Sequence, residues 1–426
     1  MSSSPGASVA ERLYYDSAEL EFSARVTDIR LVATERNEAG EPAQHWQVAL
    51  DRTAFYPESG GQPWDMGVLI ATARSGATLE VAVERVEEDE AGEVWHFVRK
   101  PLPQGTEIVG RIDAQRRRDH MQQHSGQHLL SAVFVSQIGA RTVSFHLGAE
   151  TSTIDIVLPE GVEALNPSQI EAAEIEVNRL ISDDRPLTPR WHTREETESM
   201  LRSGQLRKLP ERSGPMRVVE MQGVEFNACG GTHVPSTGAI GGLLLRRVEK
   251  AKGGWRVEFL CGQRAVQAAR RDFLLLTGVA ASLSVGANDV PARIAALQEE
   301  SRAAHKAQRG LLDELATASA ESLLANASNA VVVSARFAEK PIEFAKRIAS
   351  AIAGAGKIGV IAATQAQQGA IAFAVPAGHS QHAGNLLREV FASHGARGGG
   401  SAEMAQGVCS AAQVDEVVEA LRHRVG

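Results

Sequence analysis

Two short motifs, about a hundred residues apart, restrict this chain more than any other feature. The first is Gln123-His124-Ser125-Gly126-Gln127-His128 and the second is Cys229-Gly230-Gly231-Thr232-His233. The first lies in a stretch that reads as a helix. Asp119 is its expected N-cap, Met121, Leu129, Leu130, Val133 and Phe134 supply an apolar face, and no proline intervenes before Ser136. Histidines at i and i+4 leave one side of a helix about 5–6 Å apart at Cβ, close enough to share an ion. Cys229 and His233 add a thiolate and a third imidazole on a turn that its glycines leave free to bend. The combined set, His124, His128, Cys229 and His233, is borderline-soft N3S and suits Zn2+. Neither motif alone demands a metal, since paired histidines are common on surfaces and in satisfied cores. If one ion takes both, the fold must close the gap between them. The pair is not the H-E-x-x-H of a metalloprotease, because Ser125 follows His124.

The 426 residues allow two or three domains, and 43% hydrophobic with 23% charged residues is ordinary for a globular protein. Cys229, Cys261 and Cys409 are odd in number and widely spaced, which argues against a disulfide framework and for a reducing compartment. No apolar run reaches membrane length, and the small polar start, Met1 to Gly6, lacks the features of a signal peptide. A cytoplasmic location without membrane contact is expected. The net charge of −8 is unevenly distributed: residues 1–100 hold 18 acids and 9 bases, leaving the rest nearly neutral. Arg246, Arg247, Lys250, Lys252 and Arg256 cluster around the single acid Glu249, and Arg111 and Arg116-Arg117-Arg118 lie just before the histidine helix. Such basic patches are compatible with a phosphate backbone, although solvated arginines would give the same composition.

Along the chain, alternating apolar residues at 24–29, 46–50, 78–83 and 93–98 predict strands, and Pro57, Gly60, Gly61 and Pro63 predict an irregular loop between two of them. Residues 140–158 are again strand-like, 167–182 form an amphipathic helix, and 216–226 and 240–260 alternate as strands around the Cys229 turn. From 263 to 327 the pattern is helical but too irregular for a confident heptad seam. The last hundred residues alternate buried strands with helices at 341–353 and 380–393, an α/β signature. There Gly398-Gly399-Gly400 could bring backbone amides to a phosphate. The resulting division is 1–110, a β domain; 111–264, the α+β zinc-binding core; 265–328, a helical spacer; and 329–426, an α/β domain.

Taken in order, Leu50-Asp51-Arg52-Thr53-Ala54-Phe55-Tyr56-Pro57, Gly60-Gly61-Gln62-Pro63, Gln123 to Leu130, Ser144 to Gly148, Cys229 to His233 and Glu258 to Ala265 resemble the long type of free-standing alanyl-tRNA editing protein. That family is similar to the editing half of alanyl-tRNA synthetase. The tail, with Gly398-Gly399-Gly400 and Ala405-Gln406-Gly407, resembles the DHH-associated C-terminal domain of the same synthetase, although Ser401 stands where a basic residue is frequent. The resemblance implies an α+β protein: an N-terminal β-barrel-like domain packed on the editing core, then the spacer and the C-terminal α/β domain.

It further implies a trans-editing hydrolase that deacylates tRNA(Ala) mischarged with serine, and in some cases glycine, without an aminoacylation activity of its own. A synthetase pocket for alanine cannot strongly exclude one added hydroxyl, so a second site that pairs with that hydroxyl has a purpose. By resemblance Thr53 is the reader of the serine side chain and Gln62 a contact to the aminoacyl group or the active water. Whether three or all four of the zinc ligands bind stays open, and with it whether water or substrate occupies the ion. No protein general base stands out beyond Glu58 and His146, which leaves assistance from the terminal ribose hydroxyl. Arg116, Arg117, Arg118, Arg246, Arg247, Lys250 and Lys252 are the candidates for the acceptor stem. The C-terminal region is the expected place for further tRNA contact or homodimerisation. The rival readings are removal of threonine from its misacylated tRNA, a zinc hydrolase of small molecules, and a tRNA-binding factor with structural zinc.

Overall fold

A computed structural model describes residues 9–16, 18–36, 42–210, 214–327 and 329–425. The N-terminal segment Met1 to Gly6 and Ser328, the expected end of the spacer, lie outside them. The chain divides into two compact units, Met1–Leu275 and Leu276–Gly426, each considered separately. No single helix among the described residues is long and apolar enough to cross a membrane.

The first unit opens with a two-residue strand, β1 (Glu11–Arg12), followed by β2 (Glu21–Arg36), β3 (Pro42–Leu50), β4 (Arg52–Thr53), β5 (Gly67–Thr72), β6 (Thr78–Glu88), β7 (Val94–Val98) and β8 (Glu107–Ile112). Six of these close a barrel in the order β2-β3-β7-β6-β5-β8. Alternation directs Val26, Val48, Leu50, Leu69, Val81, Val83, Val98 and Ile108 into its core, the period-two consequence of strand geometry. The strands expected at 24–29, 46–50, 78–83 and 93–98 all form. β5 and β8 were not expected, and without them the barrel cannot close.

A long helix, α1 (Ala114–Ile138), leaves the barrel directly. It starts before the predicted cap: Asp113 is the N-cap, its Oδ1 accepting the backbone N–H of Gln115 and Arg116 at 3.0 Å each. Asp119, the expected cap, is inside the helix and pairs with Arg264. Arg116-Arg117-Arg118 therefore occupy the first turns of α1 and do not precede it.

After α1 come β9 (Arg141–Leu147), β10 (Ser152–Val157), α2 (Pro167–Ser182), β11 (Leu187–His192), α3 (Arg194–Arg202), β12 (Met216–Met221), β13 (Glu225–Ala228), β14 (Leu243–Ala251) and β15 (Gly254–Cys261). They form two sheets, β14-β15-β10-β9 and β11-β12-β13. α2 begins at an Asn166 capping box with Gln169 and buries Ala173, Val177, Leu180 and Ile181 against Leu129, Val133 and Phe134 of α1. Gln123 ties α1 to the end of β15: its Oε1 accepts the Cys261 N–H at 2.9 Å and its Nε2 donates to the Cys261 carbonyl at 3.0 Å. Cys261 itself is buried under Gly126, where a Cβ would sit 2.2 Å from its Sγ, so it is a packing residue and not a ligand. α4 (Gly262–Ser282) runs across the boundary between the units.

The second unit contains α5 (Val290–Asn326), β16 (Val332–Ala338), α6 (Ile342–Gly354), β17 (Ile358–Gln365), β18 (Gln368–Ala374), α7 (Ala383–Ser393), β19 (Arg397–Gly400), β20 (Met404–Ser410) and α8 (Val414–Val425). The sheet order is β16-β17-β18-β20-β19. Only β16 and β17 pair in parallel, across the α6 crossover, and every other pair is antiparallel. The expected α/β domain is thus a mixed, mainly antiparallel α+β layer. The buried-strand signature misled because β17 is covered along nearly its whole length, as a parallel strand would be. The triple glycine is not a phosphate nest either. Gly398, Gly399 and Gly400 pair with Gly407, Gln406 and Ala405 as part of the edge strand β19, and the Gly400 carbonyl lies 2.2 Å from where a Cβ on Gly384 would be. Glycine serves close helix-on-strand packing there.

Candidate metal centre and its cleft

His124 and His128 project from the middle of α1, and Cys229 and His233 from the loop that follows β13. Their four donor atoms lie within 4.8 Å of one another. The two histidines of the helix stack with ring centroids 4.9 Å apart, and His233 lies 4.6 Å from His124 and 5.2 Å from His128. Cys229 Sγ is 3.4 Å from His124 Nε2. A tetrahedral zinc with N and S ligands separates its donors by roughly 3.3–3.7 Å. The Nε2 of His128 is buried without a hydrogen-bond partner, as a metal ligand would be. The four predicted ligands are therefore brought together, and the residues fit the ion.

The surroundings orient these rings. Gln62 Oε1 accepts the Thr232 backbone N–H at 3.1 Å, which identifies it as the amide oxygen; it also lies 2.7 Å from His124 Nδ1. That nitrogen must carry the proton, leaving the Nε2 lone pair toward the cluster. Gln62 Nε2 donates to Thr232 Oγ1 at 2.8 Å. The Gln62 amide thus bonds both the metal helix and the metal loop, and the side chain is fully buried. This geometry makes Gln62 a support of His124 and the metal loop, where the sequence suggested a contact to the aminoacyl group or the active water. Ser125 Oγ accepts the Val234 N–H at 3.1 Å and sits 3.3 Å from His233 Nδ1. Glu225, buried and paired with Arg207, places a carboxylate oxygen 3.7 Å from His128 Nδ1. Such outer partners fix ring orientation and raise ligand basicity.

Burial sets the protonation states. It lowers the pKa of His124 and His233 well below the ordinary value and brings His128 to about 3, with neighbouring imidazoles and arginines adding to the effect. All three rings are neutral and available as donors. Burial raises the Cys229 thiol, while the Gly231 N–H and Arg217 act in the opposite direction; a bound cation would draw off its proton.

Arg217 on β12, which the sequence reading passed over, pins the loop. Its Nη1 donates to the carbonyls of Cys229 and Gly231 at 3.0 and 2.9 Å, and Nη2 donates to the Tyr15 carbonyl at 3.1 Å. Gly231 is required by contact alone. A Cβ there would meet the His124 ring at 2.1 Å from Cε1.

The cluster forms the floor of a cleft of about 690 Å³ lined by Tyr14, Tyr15, Tyr56, Glu58, Ser59, Phe145, Trp191 and Arg217 besides His124, His128 and Cys229. All three tyrosines of the chain are gathered there. Thr53 is not on this wall. It is fully buried in the barrel, its hydroxyl donating to His96 Nε2 at 2.8 Å and accepting the Phe55 N–H at 3.1 Å, while His96 Nδ1 donates to Val48 O at 3.0 Å. The hydroxyl expected to read the substrate is turned to His96 and does not line the cleft.

The expected acceptor-stem residues scatter. Arg117 is 1% exposed; it pairs with Asp65 at 2.5 Å and donates to the Ala54 carbonyl at 2.5 Å, fastening the barrel loop to α1. It cannot touch a phosphate. Arg116, half-buried and donating to Trp64 O at 3.0 Å, and exposed Arg118 line a second cleft of about 1020 Å³ with Arg264 and Arg271. Arg246, paired with Asp272, and Arg247, 2.8 Å from Glu249, lie with Lys250 and exposed Lys252 on or just beyond the edge strand β14. Those four do not line either cleft. His146 is exposed on β9.

Comparison with known proteins agrees with this arrangement. Residues 4–116 match the family model described as tRNA synthetases class II (A), and residues 216–258 match the threonyl and alanyl tRNA synthetase second additional domain. The barrel and the metal-loop segment are thus of synthetase-related type. The alanyl-tRNA editing protein Aarsd1 of Bos taurus is 34% identical over 74% of this chain and 68% of its own length. The alanyl-tRNA editing protein AlaX-L of Pyrococcus horikoshii is 35% identical over 61% of this chain and 59% of its own. The alanine–tRNA ligase of Pyrococcus abyssi is 29% identical over 96% of this chain but only 43% of its own. The chain belongs to the alanyl-tRNA editing protein family.

Proposed function

We propose that this protein is a zinc-dependent deacylase that hydrolyses the ester of tRNA(Ala) mischarged with serine and, as a second substrate, glycine. The observation that carries the reading is the half-buried N3S donor set at an open, tyrosine-lined cleft, in a chain whose relatives are named alanyl-tRNA editing proteins. Zinc bound there supplies Lewis-acid chemistry at an ester carbonyl or a water.

This chain's residues do the rest. Gln62, Ser125 and Glu225 hold the three imidazoles in place. Arg217 fixes the loop carrying Cys229 and His233. Tyr56, whose hydroxyl donates to Ser59 O at 3.2 Å, stays a neutral phenol because burial raises its pKa. With Thr53 enclosed, reading of the serine hydroxyl falls to the polar groups on the cleft wall, Ser59 and Glu58 foremost. Alanine would leave such a group without its partner, at about 1–3 kcal/mol. Among the described residues no buried acid or base in the cleft is placed to take a proton from water, so the vicinal ribose hydroxyl of the substrate is the proposed proton relay. The arginines of the second cleft, Arg116, Arg118, Arg264 and Arg271, are the candidates for acceptor-stem phosphates, and Lys250 and Lys252 for a more distant contact.

The test is deacylation of tRNA(Ala) carrying serine, glycine or alanine, with threonine on a misacylated tRNA as the rival substrate. Serine should be lost fastest and alanine spared. Preferential loss of threonine would assign the site to the threonyl branch, and an inert, folded, zinc-loaded protein would leave zinc a structural role.

A further inference from the structure

Of the five tryptophans, four are buried or partly covered, whereas Trp191 is 52% exposed. It stands on β11, an edge strand of its sheet, and lines the same cleft as His124, His128 and Cys229. Exposing a side chain this large and apolar has a cost that solvent does not return. The ring is also held. Tyr15 meets it edge-on, with centroids 5.1 Å apart at 87°. Tyr15 is in turn fixed by the Arg12 guanidinium at its hydroxyl, 3.3 Å, and by the Arg217 bond to its carbonyl. Tyr14 backs Tyr15 at 4.9 Å and is itself met edge-on by Tyr56 at 5.3 Å. A rigid, half-open indole at the mouth of a cleft with two guanidinium groups is a stacking platform for a flat, electron-rich ring joined to an anionic chain.

We propose that Trp191 stacks the 3′-terminal nucleobase of the aminoacylated nucleic acid. This rests on the function proposed above, because the terminal nucleoside carries the scissile ester and its base lies one ribose away from the reacting carbon. Stacking of this kind positions any base and reads none, so recognition at this subsite is sequence-tolerant. Trp191 is a positioning residue, touching the substrate away from the chemistry.

The experiment compares the zinc-loaded native protein with Trp191→Ala and Trp191→Phe. Titration with a short, unacylated RNA ending in CCA should quench native tryptophan fluorescence, and the quench should vanish in Trp191→Phe. Trp191→Ala should raise KM for seryl-tRNA(Ala) about tenfold or more. Its zinc content and its hydrolysis of serine methyl ester, which has no base, should match native. Trp191→Phe should recover most of the loss. Native-like KM in Trp191→Ala, with a native enzyme that edits, overturns the stacking proposal and spares the function. Quenching by the RNA in a protein that deacylates nothing supports the stack and overturns the function. Absence of quenching overturns the stack.

Discussion

The His124 ring is held from the barrel: Gln62, in the loop after β4, receives its Nδ1 proton across 2.7 Å while also receiving the Thr232 N–H. One amide thus joins barrel, metal helix and metal loop. Gln62→Ala should therefore weaken zinc binding by roughly 10–100-fold, with loss of activity following that of metal. Competition with a chromogenic chelator measures it. Native zinc affinity together with lost activity would restore Gln62 to a direct catalytic role.

Gly231→Ala places a methyl group into the His124 ring. Overpacking of this kind costs about 1–3 kcal/mol, and here the strain falls on a ligand. The variant should purify with substoichiometric zinc and a lowered Tm. Full zinc content at native Tm would mean that the loop is softer than its Arg217 bonds indicate.

Thr53→Val leaves the His96 Nε2 without its donor inside the barrel. Stability should fall by about 1–3 kcal/mol, while the ratio of serine to alanine hydrolysis stays native. A collapsed ratio at unchanged stability would reinstate Thr53 as the reader of the serine hydroxyl.

His96 also predicts a pH dependence. Burial lowers its pKa from 6.5 to about 4, so the folded protein keeps the ring neutral while the unfolded chain takes up a proton below pH 6.5. Its contribution is complete above that pH and is lost as pH falls toward 4, on the order of 3 kcal/mol in all. In urea unfolding, the stability gap between native and His96→Gln should be larger at pH 7.5 than at pH 5. A gap that widens on acidification would contradict the assigned neutral state.

What could be read from the chain followed the locality of the signal. The four candidate ligands, the Pro167–Ser182 helix and four barrel strands carry their own periodicity or spacing; the structure forms the helix and strands and brings the four side chains into one cluster. β5 and β8 are short and acquire their meaning only when the barrel closes around them. The fates of Thr53, Gln62 and Arg117 were hidden for a related reason: a side chain in a functional motif looks the same whether it faces substrate or supports a residue that does. Only the partners, His96, His124 and Asp65, separate the two. Trp191 and Arg217 had no local mark at all, being brought to the cleft by sheet pairing across β11 and β12.

The central claim is that zinc held by His124, His128, Cys229 and His233 makes this protein a deacylase of mischarged tRNA(Ala). The most direct measurement is single-turnover hydrolysis of seryl-tRNA(Ala) and alanyl-tRNA(Ala) by zinc-stripped protein, the same protein reloaded with zinc, and His124→Ala. Serine release is expected only from the reloaded native protein, with alanine released far more slowly. Equal rates in stripped and reloaded protein, both shown to be folded, would contradict it.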